Sequence, residues 1–238
     1  MIIGGESFHN GINFYGEKSY VVSKINKEGN PEITFKQNKN TKNILLSIPI
    51  LKYYINSSKT LAISIIVLFI CKDLDKRNID LIAKYYIIIG ILLGGVIVSL
   101  YVFLFCRSFF GYHGAEHKAI NSYNLYNDVS IDNIIKSSRV ASGCSTNCIL
   151  LYFFILLISV IILRKIYYTF MFINYGISRE LFMVKDIDKC PLFSIVFKLG
   201  AFLQNTLFTK EPTDEQIILA HNAIRTLVDY EENFECID

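Results

Sequence analysis

The chain has 238 residues, 52% hydrophobic and 19% charged, with 24 basic and 21 acidic side chains and a net charge of +3. That excess is too small, and its lysines and arginines too scattered, to form a nucleic-acid-binding surface. Six cysteines (Cys71, Cys106, Cys144, Cys148, Cys190 and Cys236) are too sparse for the disulfide framework of a small secreted domain, and the opening MIIGGESFHNG lacks the basic and apolar stretches of a secretory leader.

In chain order, GGESFHNG reads as a tight, irregular loop carrying Glu6 and His9. Residues 12–36 predict a β-hairpin: SYVVSKIN and EITFK are rich in β-branched and aromatic residues, and KEGNP between them is turn chemistry. The polar linker KQNKNTKN follows, so residues 1–43 read as a small soluble region. Residues 44–84 mix apolar runs with Pro49, Lys52 and Lys59. The cleanest run there, Thr60 to Cys71, falls short of the roughly twenty residues a bilayer requires, so this part lies in the interface or spans with snorkelling lysines.

Tyr85 to Cys106, YYIIIGILLGGVIVSLYVFLFC, carries no charge, is long enough to span, and is flanked by Lys84 and Arg107. Gly90 and Gly94 have the small-xxx-small spacing that lets two helices approach closely in lipid, or are simply flexible glycines in an apolar helix; a protein partner or a second copy is expected alongside the bilayer. Cys148 to Leu163, extended N-terminally by STN, predicts a second span, and IYYTFMFINYGIS after Arg164-Lys165 a shorter membrane or interfacial helix. Residues 85–189 therefore read as a membrane core. In residues 190–238, CPLFSIVFKLGAFLQNTLFT is interrupted by Lys198 and Gly200 and is expected to pack on the membrane surface. EPTDEQIILAHNAIRTLVDYEE predicts a soluble helix with a capping box at Thr213 and Gln216 and an apolar stripe of Ile217, Ala220, Ile224, Leu227 and Val228. His221, near that stripe, is read as a packing or surface residue. The expected fold is mainly α and embedded in the cell membrane, with about four membrane-associated segments and a small β-hairpin at the N-terminus.

Lys36, Lys39, Lys42 and Lys52 precede the first membrane segment and place the N-terminal region in the cytoplasm. With four segments the 107–147 loop shares that side, in keeping with Arg107, Lys118, Lys136 and Arg139. Lys72, Lys76, Arg77 and Lys84 would then face outward, against the rule. Two spans would put that loop outside.

Two of the four histidines fall within five residues, in GYHGAEHKAINSY. One helical turn separates His113 from His117, so their imidazoles can converge on one ion. Glu116 lies beside them, giving the order His-x-x-Glu-His, in which histidines ligate a metal and a glutamate serves as general base. Zinc suits the imidazoles best, and a third ligand is needed. Glu180 in GISREL and the Cys144/Cys148 pair are the candidates, a thiolate pair suiting a structural or redox metal better than a hydrolytic one, with Glu211 and Asp214 more distant options. A two-histidine turn can also serve as a polar helix cap at a membrane boundary.

Together these residues resemble the YqhQ-like proteins, a bacterial membrane family of unknown function labelled as predicted metal-dependent enzymes. The resemblance runs through most of the chain and is closest in YHGAEHKAINSY, GISREL and LQNTLFTKEPTDEQIILA; GGESFHNGI and the hairpin match the family in position. Asn10 stands where the family usually has a glutamate, and ASGCST replaces its His-Pro-Arg-Cys-Gly-Thr, with Ala141 and Gly143 in place of the histidine and arginine. The resemblance implies an architecture and a metal site and supplies no substrate. Two functions are expected from the whole: a membrane metal-dependent hydrolase of a peptide or lipid-linked substrate, or a non-catalytic membrane assembly or scaffold protein whose histidine turn is structural.

Overall fold

The computed structural model describes residues 3–37, 107–163 and 168–235, together with helical positions 86, 89–90, 93–97 and 100. The expectations for residues 44–84 and for most of the 85–106 span lie outside the described residues. The chain divides into two compact units. One comprises Met1–Asn40, Ser99–Gly143 and Ala201–Asp238, the other Thr41–Val98 and Cys144–Gly200.

The first unit opens with an antiparallel meander of β1 (Gly4–Phe8), β2 (Gly11–Tyr15), β3 (Ser19–Ile25) and β4 (Pro31–Gln37), paired in sequence order. The register sets Phe14 opposite Val21 and Ile12 opposite Ser23. Strand alternation then puts Ile12, Phe14, Ser19, Val21 and Ser23 on the buried face. The expected hairpin is β3–β4, and its turn is fixed by Asn26, whose Oδ1 accepts the N–H groups of Glu28 and Asn30. The sheet has four strands rather than two. The segment expected to be an irregular loop supplies β1, and only the turn at His9-Asn10 is loop.

Residues 107–147, read from the sequence as the segment between membrane spans, are largely helical. They hold α1 (Arg107–Tyr126) and α2 (Ile131–Lys136) and lead directly into α3. The last helix of the chain, α6 (Asp214–Glu235), starts with the expected capping box: Gln216 N–H donates to Thr213 Oγ1 at 3.4 Å and Thr213 N–H to Gln216 Oε1 at 3.0 Å. Its stripe of Ile217, Ala220, Ile224, Leu227 and Val228 is buried against β2 and β3. Ile12, Phe14 and Val21 from the sheet, Ala115 and Ala119 from α1 and Ile134 from α2 complete that core. His221 bonds to its neighbour Asn222 at 3.1 Å and stands apart from the other histidines' partners.

The second unit contains α3 (Ser145–Leu163) and α4 (Tyr168–Phe182), which pack on each other, and most of α5 (Pro191–Leu203). Asn174 of α4 is buried and donates to Ser159 Oγ of α3 at 3.1 Å, a polar tie between the two helices. As expected, Ser145-Thr146-Asn147 forms the first turn of α3. Ile149, Phe153, Leu157 and Ile161 form an exposed apolar stripe at helical spacing. Among the described residues two helical stretches, Ser145–Ile162 and Pro191–Phe208, are long and apolar enough to cross a membrane. The second was expected as a helix on the membrane surface, its apolar run broken by Lys198 and Gly200. The helix runs through both, with Gly200 packed on the Asn147 side chain, and a π-helical turn, Gln204–Phe208, extends it.

Candidate metal centre

Helix α1 carries the His-x-x-Glu-His run at its middle, and the helical period brings the two imidazoles together with ring centroids 4.3 Å apart and planes inclined at 62°. Each ring is fixed by a backbone carbonyl. His113 Nδ1 is 2.8 Å from the Phe208 oxygen, and His117 Nδ1 is 2.6 Å from the Arg139 oxygen. A carbonyl cannot donate, so both Nδ1 atoms carry the proton and Nε2 is the lone-pair nitrogen of each neutral ring. Burial lowers the His113 pKa. For His117, burial and then the neighbouring His113 bring it down to about 4. Both rings are therefore neutral at pH 7, the form that binds metals, and a Nδ1–H bonded to a carbonyl is the usual orienting partner of a ligating histidine.

Cys144 follows Gly143, the last residue of this unit's middle segment, by one peptide bond. Its sulfur and one ligating atom from each of His113 and His117 lie within 4.8 Å of one another, a group that can hold a metal ion. Two imidazoles and one thiol are a donor set suited to a divalent ion of intermediate softness. Neither Cys144 nor Cys148 is in a disulfide, and both are buried. Cys148 accepts from Arg179 Nη1 at 3.8 Å, and Glu180 sits next to that arginine in α4, within the second unit.

Glu116 points to a different neighbour, β1. Its carboxylate accepts the Ser7 hydroxyl, and it lies so close to Gly5 that a Cβ there would be 2.6 Å from Oε1. The absence of a side chain at residue 5 is what lets the strand reach the carboxyl group. Burial raises the Glu116 pKa to about 7, with the Ser7 bond pulling the other way and the charge of Glu6 adding to the rise. Glu116 is thus a carboxyl group that exchanges its proton near neutral pH, the property a general acid or base needs.

A second network flanks His117. Lys118 Nζ is 2.8 Å from Glu211 Oε1 and donates to the Ile135 carbonyl at 2.7 Å. Arg139 Nε is 3.0 Å from Glu211 Oε2, and its Nη2 donates to Asn205 Oδ1 at 3.0 Å. Glu211 is therefore paired with two cations, and Asp214 opens α6. Lys118 and Arg139, counted above toward cytoplasmic placement, are held in this internal pair. Ala141, which stands where the resemblance has a histidine, is buried and donates its N–H to Gln204 Oε1 at 2.9 Å; Asn10 closes the β1–β2 turn by donating to the Ile25 carbonyl.

The family whose description reads "Protein of unknown function (DUF1385)" matches residues 14–230. The chain belongs to that family. A curated relative, the uncharacterized protein YqhQ of Bacillus subtilis (strain 168), is 30% identical over 150 residues, which is 58% of this chain and 46% of that protein. The chain thus aligns with less than half the length of this relative. No solved structure matches it. The DUF1385 match takes in every residue of the histidine turn and the carbonyls that orient it, and it confirms the resemblance read from the motifs.

Sequence reading overlooked Gly5 and Ser7 as neighbours of Glu116, and the Phe208 and Arg139 carbonyls as partners of the histidines. A signal did exist for the first pair: two adjacent glycines before Glu6 and Ser7, in a segment too polar to need them for packing. Backbone carbonyls leave no such trace, because every residue type supplies one.

Proposed function

We propose that this is a multi-pass protein of the cell membrane that holds one divalent metal ion at His113 and His117, with Cys144 as third donor, and hydrolyses a peptide or lipid-linked substrate with Glu116 as proton carrier. The observation that carries the reading is that both imidazoles hand Nδ1–H to a backbone carbonyl, which fixes them in the neutral tautomer with Nε2 as the donor atom. Zinc is the ion that best fits two nitrogens and one sulfur. When bound, it would supply Lewis-acid polarisation of the reacting group. Phe208 and Arg139 orient the donors, Ser7 and Gly5 hold Glu116 in place, and Glu116 takes up and returns the proton at neutral pH. The membrane reading is supported by the two membrane-length helices and the exposed apolar stripe of α3. Four membrane segments would leave residues 107–147 on the cytoplasmic side.

The test is elemental analysis of detergent-purified protein, beside the double variant His113→Ala/His117→Ala and the single variant Glu116→Gln. A stoichiometric metal that disappears in the double variant supports the site, and Glu116→Gln that keeps the metal and loses turnover supports the proton role. No metal in the wild type removes both. One observation favours a second reading, a structural metal in a scaffold protein: Glu116, His117 and Cys144 are each 5% exposed or less, as in a closed site. In that case the double variant loses fold or partner along with its metal.

A further inference from the structure

The four residues Phe208 to Glu211 touch both halves of the histidine pair, by two separate routes. Phe208 reaches His113 directly through its carbonyl. That carbonyl is set by the π-helical turn before it, where Thr209 closes back on Gln204 through both its N–H, at 2.9 Å, and its hydroxyl, at 2.8 Å. Lys210 then fastens the segment to α1, its N–H donating to the Phe110 carbonyl at 2.9 Å, and its own carbonyl sits where a Cβ of Gly114 would be. Glu211, next in the chain, ends on Lys118 and Arg139.

From these contacts we infer that Glu211 is a positioning residue for His117: it holds the Arg139 side chain so that the Arg139 carbonyl stays on His117 Nδ1. The inference deepens the metal reading above and rests on it for one arm of its test. An exposed ion pair would contribute little, and Glu211 itself is 66% exposed. Its two partners differ from surface cations. Lys118 is 7% exposed and Arg139 22%, and Arg139 also reaches the Thr209 carbonyl at 3.3 Å and Asn205 at 3.0 Å. The side-chain polar bonds of Arg139 go to Asn205, Thr209 and Glu211, so they tie the stretch that carries its carbonyl to that segment. Without Glu211, Arg139 Nε and Lys118 lose their common anion, and the stretch carrying the Arg139 carbonyl is released from the segment at one of its ties. His113 is held through the π turn and does not depend on Glu211. The two histidines should therefore respond differently to the same substitution.

The experiment uses the full chain in detergent with Glu211→Gln and Glu211→Asp, and Glu32→Gln as a control on the exposed Lys24–Glu32 pair. Cobalt(II) titration followed by its visible absorption reads metal affinity, and nitrogen-15 NMR of the metal-free protein reads the Nδ1–H of each histidine. Expected are a 10–100-fold weaker cobalt affinity in Glu211→Gln, partial recovery in Glu211→Asp, and no change in the control. In the metal-free spectra Glu211→Gln should lose or broaden the His117 Nδ1–H signal and keep that of His113. Wild-type affinity and an intact His117 signal in Glu211→Gln overturn the inference, as does equal loss at both histidines. Should the wild type bind no cobalt, the metal reading fails, and the metal-free spectra decide the positioning role alone. If Glu211→Gln does not fold, Glu211→Asp carries the same comparison, and an unaltered His117 signal there, with its shorter reach, counts against the role.

Discussion

His117 donates Nδ1–H to the Arg139 carbonyl at 2.6 Å, joining the middle of α1 to a residue 22 positions further along the chain. The bond does two things at once: it selects the tautomer with Nε2 as lone-pair atom, and it satisfies a carbonyl in the interior. Replacing the ring therefore has a cost even before any metal is considered. His117→Ala should destabilise the chelator-treated protein by about 2–4 kcal/mol, through a cavity and an unpaired carbonyl. Adding zinc should raise the melting temperature of the wild type and leave that of the variant unchanged. Denaturation with and without zinc measures both, and an equal zinc effect in the two proteins would place the ion elsewhere.

The contact between β1 and Glu116 predicts an unequal response at two adjacent glycines. A Cβ at Gly5 would lie 2.6 Å from Glu116 Oε1 and 2.7 Å from its Cγ, whereas nothing lies within 4 Å of one at Gly4. Gly5→Ala should therefore cost about 1–3 kcal/mol and Gly4→Ala much less. Glu116→Ala deletes the atoms that collide, so the double variant Gly5→Ala/Glu116→Ala should recover most of the Gly5 cost. A thermodynamic cycle over the four proteins tests the contact, and additive effects would show that β1 does not lean on this carboxyl group.

The same two glycines show where the sequence was readable. The stripe and capping box of α6 are local patterns with a fixed period, and they hold residue for residue. The histidine pair was legible for the same reason, since one turn of helix fixes its geometry. Strand β1 was not, because GGESF has no apolar alternation: its second glycine answers to Glu116, more than a hundred residues away. The sequence did not disclose that α1 buries three consecutive polar side chains, Glu116, His117 and Lys118. Their partners are carbonyls, a hydroxyl and one carboxylate supplied by distant segments. Polar burial of this kind is recognisable only once the tertiary contacts are known.

Glu231 offers a test of fold independent of the metal centre. It is buried in α6 and accepts from Ser19 Oγ at 2.6 Å and from Lys18 N–H at 3.0 Å, holding the helix against the β2–β3 turn. Glu231→Ala strands both donors and should cost about 2–4 kcal/mol. Metal content should stay at the wild-type level, because the hydrogen bonds of Glu231 among the described residues go to Lys18 and Ser19. Loss of metal at unchanged stability would mean that α6 and the histidine pair are coupled in a way these contacts do not provide.

The pH dependence of stability separates Glu116 from its neighbours. Its carboxyl is raised from the ordinary 4.5 to about 7, so between those values the folded state keeps a proton that the unfolded chain has released. Stability from this group is complete below pH 4.5 and is lost as pH rises through 7, amounting to about 3 kcal/mol. His117 works in the opposite sense. Lowered from 6.5 to about 4, it stays neutral when folded while the unfolded ring takes up a proton, so it loses stability as pH falls from 6.5 to 4. His113 shifts in the same direction as His117. Between pH 4.5 and 6.5 the slopes of Glu116 and His117 oppose each other, and His113 adds to the loss on acidification. Glu116→Gln removes one side of the balance, so the variant should lose stability on acidification by about 1.4 kcal/mol per pH unit relative to the wild type. Urea denaturation of both proteins across pH 4.5–7 measures the difference. Parallel curves would mean that the buried carboxyl titrates at its ordinary value and is not the neutral-pH proton carrier the site requires.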